Sequence, residues 1–288
     1  MKRRLFALLA VCAVALSACA GMAISDPAPV IELERDLSAP AEAEPFEAPE
    51  YEVVPFTSGN LVRSEDGKEV TLASYNYQTI LLVLHNEGAV SPEDAEAAAR
   101  NVEAFNAKMR TIHGELSEQG EALAGEAQEF YETFGPLSAE YEDDVTMAAD
   151  FQGDIVSVCM ERYTDAGGAH PNRYASCWLF DLAGGQFVDP TQIAEDPESF
   201  RTGAAALLLE KADAHPEREA FWQDYADIIA HWNEGAVRFT KEGMEVLYSP
   251  YGLGPYVIGE VELSLDWEEL EPLIGPSGMA RLGQGEME

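Results

Sequence analysis

Cys159 and Cys177 stand nine residues either side of Gly168. The segments that hold them, Asp154 to Tyr163 and Arg173 to Leu182, have the apolar patterning of strands. Between them runs Thr164-Asp165-Ala166-Gly167-Gly168-Ala169-His170-Pro171-Asn172, whose adjacent glycines permit positive φ. An antiparallel hairpin turning about Gly168 sets the two cysteines opposite each other, where a non-hydrogen-bonded pair brings its Cβ atoms within disulfide reach. The alternative is two buried free thiols, and the compartment decides between them.

The N-terminus points to export. Met1-Lys2-Arg3-Arg4 is a positive leader, and Leu5 to Leu16 is an apolar run too short to span a bilayer. It ends in Leu16-Ser17-Ala18-Cys19, the lipobox pattern of bacterial lipoprotein signals, in which the Cys19 thiol carries the diacylglycerol. The plainer alternative is a cleavable signal that happens to contain a cysteine. The lipobox reading removes residues 1–18, Cys12 among them, and holds the chain through lipidated Cys19 at a bacterial membrane, on its periplasmic face or at the cell surface. Cys159 and Cys177 then remain in an oxidising compartment, and a disulfide between them is expected.

Residues 19–50 are rich in Ala, Pro and Glu, with Pro27, Pro29, Pro40, Pro45 and Pro49 spaced through them, and read as an extended tether. Residues 277–288 look similarly featureless and are expected to fray as a flexible tail. Tyr51–Phe56, Glu69–Tyr77 and Thr79–His85 read as strands, the last apolar enough to be buried on both faces. Ser91 is a good N-cap before Pro92 and Asp94, and Ala98, Val102, Phe105, Met109, Ile112 and Leu116 follow at helical spacing. The pattern resumes more weakly past Gly120 and Gly125 to Gly135-Pro136.

After the hairpin, Phe200, Ala204, Leu207 and Leu208 mark one helix, and Phe221, Trp222, Tyr225, Ile228, Ile229 and Trp232 mark a second with an aromatic stripe. Strands at Ala236–Phe239, Glu245–Tyr248 and Tyr256–Leu265 and a helix capped by Asp266 complete the pattern. Runs of strands and runs of helices predict an α+β fold of antiparallel sheets with packed helices. Two closely associated subdomains are expected, residues 51–185 and 186–276.

Composition narrows the chemistry. With 17 Lys and Arg against 53 Asp and Glu, the formal charge of −36 excludes nucleic acid as a partner. The 47% apolar content is enough for a sizeable core, which excludes wholesale disorder. No phosphate-binding loop, nucleophile elbow or dinucleotide fingerprint occurs, and His85, His113, His170, His215 and His231 show no metal-ligand spacing. No catalytic set, metal site or cofactor is expected.

Two segments stand out. In the hairpin loop, Tyr163, Thr164, Gly167, Gly168, His170 and Asn172 bring polar groups and backbone freedom together; the plain reading is a turn whose histidine caps nearby carbonyls. Tyr248-Ser249-Pro250-Tyr251-Gly252-Leu253-Gly254-Pro255-Tyr256 sets tyrosines on a stiff loop, where Tyr251 and Tyr256 are candidate contact anchors or cover for the edge of the core.

The run YTDAGGAHPNRYASCWLFDLAGGQF resembles the Y-T-x-GGAH-x-N block, and FTKEGMEVLYSPYGLGPYVIGEVELSLDWEEL the Y-x-PYE-x-x-PY block, of the extracytoplasmic domain shared by RsiV-like anti-sigma factors and PdaC-type peptidoglycan deacetylases. Asp165 and Ala166 lengthen the first motif, and Gly252 stands where the family usually has an acidic residue. Nothing resembles the deacetylase catalytic domain, so the resemblance implies the recognition module alone.

That resemblance implies recognition of lysozyme, a cationic muramidase, or of a peptidoglycan-related ligand. The residues add an independent point: between Arg110 and Arg162, 51 residues carry 13 carboxylates and no Lys or Arg, which would steer a cationic partner. Solubility or adaptation to salt accounts for the same acidity. The expectation is a non-enzymatic envelope lipoprotein; the alternative is a hydrolase of wall glycan, with His170 and Asp165 or Asp181 as acid and base.

Overall fold

The alternating spacings of four and three from Ala98 to Leu116 bury one stripe of a single unbroken helix, α1 (Pro92–Phe134). The protein is represented by a computed structural model that describes residues 50–63, 70–85 and 91–285. The signal, lipobox Cys19, the tether up to residue 49 and residues 286–288 lie outside the described residues. Ser91 caps α1, its hydroxyl accepting from the Asp94 backbone N–H. Gly120 does not weaken the helix; it lets the sheet approach. A Cβ there would sit 2.5 Å from Tyr77 Oη and 2.6 Å from the Tyr75 ring.

Those rings belong to a six-stranded sheet. Its strands are β1 (Glu50–Arg63), β2 (Thr71–His85), β3 (Tyr141–Gln152), β4 (Ile155–Asp165), β5 (Asn172–Asp181) and β6 (Gln186–Val188), in that spatial order. The two strands expected on either side of Gln78 are one, β2. Because α1 carries the chain back across the sheet, β2 and β3 pair parallel while the other neighbours pair antiparallel. This sheet is therefore mixed, a correction to the expectation of antiparallel sheets alone. The strand buried on both faces is also not Thr79–His85, where Val83 is exposed, but β4, whose Ile155 to Met160 are all buried.

A second sheet is antiparallel throughout: β7 (Ala236–Phe239), β8 (Gly243–Tyr248) and β9 (Val261–Asp266). Against it pack α2 (Pro197–Asp213), α3 (Tyr225–Ala230), α4 (Trp267–Ile274) and α5 (Pro276–Arg281). Asp266 caps α4 in a full capping box with Glu269. Two hydrophobic cores result. One lies between α1 and the first sheet around Phe105, Met109, Tyr77 and Phe180; the other gathers Phe200, Trp232, Phe239, Leu263 and Leu270. Ile155 and Leu179, from β4 and β5, belong to the second core, and Ser157 Oγ accepts from the Phe239 backbone N–H at 2.8 Å. The whole is the α+β arrangement read from the sequence. β6, at residues 186–188, extends the first sheet, and its Val188 packs against the second core.

Three local expectations are corrected. The aromatic stripe from Phe221 to Trp232 is not one helix: the Trp222 N–H donates to Leu253 O at 2.7 Å instead of to a helical carbonyl, and only Tyr225–Ala230 is α-helical. The strand expected from Tyr256 begins at Val261, because Tyr256–Ile258 form a 3-10 turn closed by Gly259 at φ +74°. The expected frayed tail is helix α5. Its Met279 and the following Leu282 are buried, and Arg281 bonds to Asp181 at 2.9 Å while its carbonyl accepts from the Asp154 N–H at 2.7 Å.

Candidate functional site

The cross-strand pairing of β4 and β5 sets Cys159 opposite Cys177, and the two form a disulfide. The ladder continues from there to Tyr163 opposite Arg173 and Thr164 opposite Asn172, so the hairpin is longer and its loop shorter than the sequence implied. Asp165 Oδ1 accepts from the Gly167 N–H at 3.0 Å, and Gly167 turns the chain at φ +74°. A Cβ on Gly167 would stand 3.0 Å from the Tyr141 ring, whereas one on Gly168 would meet nothing closer than 3.8 Å. Only the first glycine of the pair is required by the turn.

This loop presents His170 to the second half of the chain. Its Nδ1 lies 3.0 Å from Pro171 O and its Nε2 2.9 Å from Tyr251 Oη. A carbonyl only accepts, so Nδ1 carries the proton, and in the neutral ring Nε2 accepts from the Tyr251 hydroxyl. The Tyr256 ring stacks on the imidazole at 3.8 Å and 18°, and Tyr251 and Tyr256 are 5.7 Å apart. The two segments singled out in the sequence thus meet through three rings.

Tyr251 is held in an unusual backbone state. It sits at φ +72°, the one non-glycine residue with positive φ among the described residues. Ser249-Pro250-Tyr251-Gly252 closes as a turn in which the Gly252 N–H donates to Ser249 O at 2.7 Å, placing tyrosine where glycine or asparagine is usual. Three outside contacts hold it: the His170 bond, the Trp222 indole N–H donating to Tyr251 O at 3.2 Å, and the Ala175 N–H donating to Ser249 Oγ at 2.8 Å. Tyr251 is 52% exposed, Val257 87% and Trp222, whose indole bonds to Tyr251 O, 39%.

Tyr256 also forms part of the wall of an open cleft of about 500 Å³ between the β3–β5 surface and the tyrosine loop. Tyr163 and Tyr174 line it as well, with Asp144, Glu161 and Glu260 as its carboxylates and Arg162 and Arg173 as its guanidinium groups. Arg162 is already committed. Its Nε and Nη2 each donate at 2.6 Å to Asp143, which is 1% exposed and also accepts from Tyr77 Oη at 2.6 Å and Thr164 Oγ1 at 2.9 Å. Arg162 Nη1 donates further to Gln119 and to Tyr174 Oη. Burial opposes charge on Arg162, but the bonds to Asp143 and Tyr174 outweigh it and raise its pKa. Burial and then the Asp143 bond likewise push up the Tyr77 phenol. Arg173 lies over the Tyr163 ring, 5.3 Å from its centroid.

The three cleft carboxylates have no hydrogen-bond or salt-bridge partner among the described residues. Partial desolvation and then Asp143 raise the pKa of Asp144, while desolvation, then Glu161 and Glu262, raise that of Glu260. Arg238, the cation that opposes that shift at Glu260, is bound to Glu245 at 2.5 Å and to Glu262 at 3.7 Å.

Of the residues singled out from the sequence, Tyr163 and Tyr256 line the cleft, and His170 and Tyr251 form its aromatic flank. Thr164 serves the Asp143 network and Asn172 is an exposed member of the ladder. Neither carboxylate considered as a catalytic partner reaches His170. Asp165 engages the Gly167 N–H, and Asp181 the Gly184 N–H at 2.9 Å and Arg281. Asp144, Glu161 and Glu260 were not distinguishable in the sequence from the general acidity, nor was Tyr174 singled out; the alternation along β3, with Asp143 facing in and Asp144 out, is a signal for Asp144 alone.

No protein-family model and no curated protein matches the chain. Among solved structures it is similar to a DUF3298 family member from Bacteroides fragilis, at 14% identity and a TM-score of 0.54, over 83% of this chain and 98% of that one. A DUF3298 family protein from Pseudomonas aeruginosa aligns at 16% identity and a TM-score of 0.49, over 80% and 96% of the two chains. The first likeness shows a shared fold.

Proposed function

We propose that the chain is an exported, lipid-anchored recognition module of the RsiV-like type that binds a cationic wall-associated protein such as lysozyme and catalyses no reaction. The observation that carries this reading is the juxtaposition of a fixed aromatic surface, Tyr251, Tyr256 and Trp222 around His170, with a cleft whose Asp144, Glu161 and Glu260 have no salt-bridge partner among the described residues. Rigid exposed aromatics supply contact area at small entropic loss, and uncompensated carboxylates supply rate and orientation toward a basic surface. The resemblance of the GGAH and tyrosine-loop motifs to the RsiV-like domain supports the same reading, and the lipobox at Cys19 supports a membrane anchor outside the cytoplasm. Among the described residues no helix is long and apolar enough to cross a membrane.

The test is calorimetric titration of the whole chain with lysozyme and, separately, with purified peptidoglycan, at low and at physiological salt. Saturable lysozyme binding of defined stoichiometry that persists at physiological salt is the expected result. Binding that vanishes as screening rises reduces the acidity to a solvated coat and overturns the reading. Saturation by peptidoglycan with none by lysozyme also overturns it, in favour of a glycan ligand, and release of soluble wall fragments overturns the absence of catalysis.

A further inference from the structure

The cleft has more definition than a patch of acid. Glu161 comes from β4 and Glu260 from the turn before β9, so two segments far apart in the chain bring carboxylates to one concavity. Of the cations nearby, Arg162 is bound to Asp143 and Arg238 to Glu245 and Glu262, while Arg173 lies over the Tyr163 ring. The walls are phenol rings, and the chain itself shows what such rings accept. Arg173 lies over Tyr163 at 5.3 Å and Arg162 over Tyr174 at 5.8 Å, each guanidinium set against a tyrosine of the cleft. The third ring, Tyr256, has His170 stacked on it and, among the described residues, no guanidinium over it.

From this geometry we infer that the cleft is a receptor for one arginine side chain of the cationic partner, its guanidinium received by Glu161 and Glu260 beside Tyr256. The chemistry selects arginine over lysine. A planar guanidinium stacks on an aromatic face and meets carboxylates through a fork of donors, while an ammonium is a strongly hydrated point charge. The volume, about 500 Å³, admits a side chain with its stem, and Pro250 supplies an apolar edge for that stem.

The inference rests on the proposed recognition of a cationic protein but is tested separately, on the whole chain, with three small probes: N-acetyl-arginine amide, N-acetyl-lysine amide and N-acetyl-citrulline amide. Citrulline keeps the shape of arginine and removes the charge. Shifts of the Tyr256 and Tyr163 ring resonances that saturate with the arginine probe, about tenfold weaker for lysine and absent for citrulline, are the expected result. Glu161→Gln with Glu260→Gln should weaken the arginine probe about tenfold, with the melting temperature unchanged, because both residues are exposed. Equal response to citrulline or to lysine overturns the inference, as does a double variant that binds the arginine probe normally. If lysozyme binds the double variant as well as it binds the parent chain, the cleft assignment fails and recognition stands. If the arginine probe behaves as expected but no cationic protein binds, recognition fails and the cleft stands.

Discussion

The imidazole of His170 and the phenol of Tyr256 lie face to face at 3.8 Å, joining a loop of the first sheet to a loop of the second. With the Tyr251 hydroxyl bonded to the same imidazole, one side chain orders both segments of the recognition surface.

His170→Ala should therefore act on binding more than on stability. It removes two hydrogen bonds, to Pro171 O and Tyr251 Oη, and one stacked pair at a half-open site, about 1–2 kcal/mol of stability. Binding of a cationic partner should fall about tenfold as Tyr251 and Tyr256 lose their fixed positions. Calorimetric binding and thermal melting on the same variant separate the two effects, and a lost melting transition would make the residue structural instead.

Tyr251 carries backbone strain that its contacts offset. In a His170→Ala background, Tyr251→Gly should be tolerated or stabilising, since glycine adopts φ +72° freely. Tyr251→Val in the same background should lose about 1–2 kcal/mol relative to the glycine variant, because a β-branched residue resists that conformation. Denaturant midpoints of the two double variants decide it.

Two of the mid-helix glycines of α1, Gly120 and Gly125, should respond oppositely to alanine. At Gly125 a Cβ meets nothing within 4 Å, so Gly125→Ala should gain about 1 kcal/mol from helix propensity. At Gly120 the Cβ would lie 2.5 Å from Tyr77 Oη, and Gly120→Ala should lose about 1–3 kcal/mol despite the same propensity. A matched pair of chemical denaturations checks the sign of each.

Asp154 predicts a pH dependence. Burial first and Asp181 second raise its carboxyl above the ordinary range, with Arg281 opposing them. A carboxyl whose folded pKa is raised stabilises the fold when protonated, and that contribution fades as pH rises from the unfolded value through the folded one. Asp154→Asn should therefore raise the melting temperature near neutral pH, and the gain should disappear in acid, where the parent carboxyl is itself neutral. A gain of the same size at both pH values would show that charge is not its cause.

What could be read from the sequence was whatever local geometry decides. The start of α1 follows from Ser91 and the spacing from Ala98 to Leu116, and the disulfide follows from symmetry about Gly168, because both depend on neighbours along the chain. Asp143 was one of 13 carboxylates in an uncompensated stretch, and nothing local says that Arg162, Tyr77 and Thr164 converge on that one. Gly120 looked like a weak point because propensity was visible and the Tyr75 and Tyr77 rings were not. The tail was missed for a similar reason: Met279 and Leu282 are isolated among glycines, and only the second core, which they join, and the turn at Gly153 and Asp154, which bonds to Arg281, explain why they are buried. His170, Tyr251 and Tyr256 were each legible as candidates, but their contact is a property of how the two sheets pack.

β4 has one face in each core, Val156 and Val158 toward α1, Ile155 and Ser157 toward β7. A strand shared in this way couples the two halves. Loosening either core strips one side of β4, and the hairpin that carries His170 loses its footing with it. The molecule should accordingly melt as one cooperative unit, with no state in which half of it stays folded and the recognition surface survives.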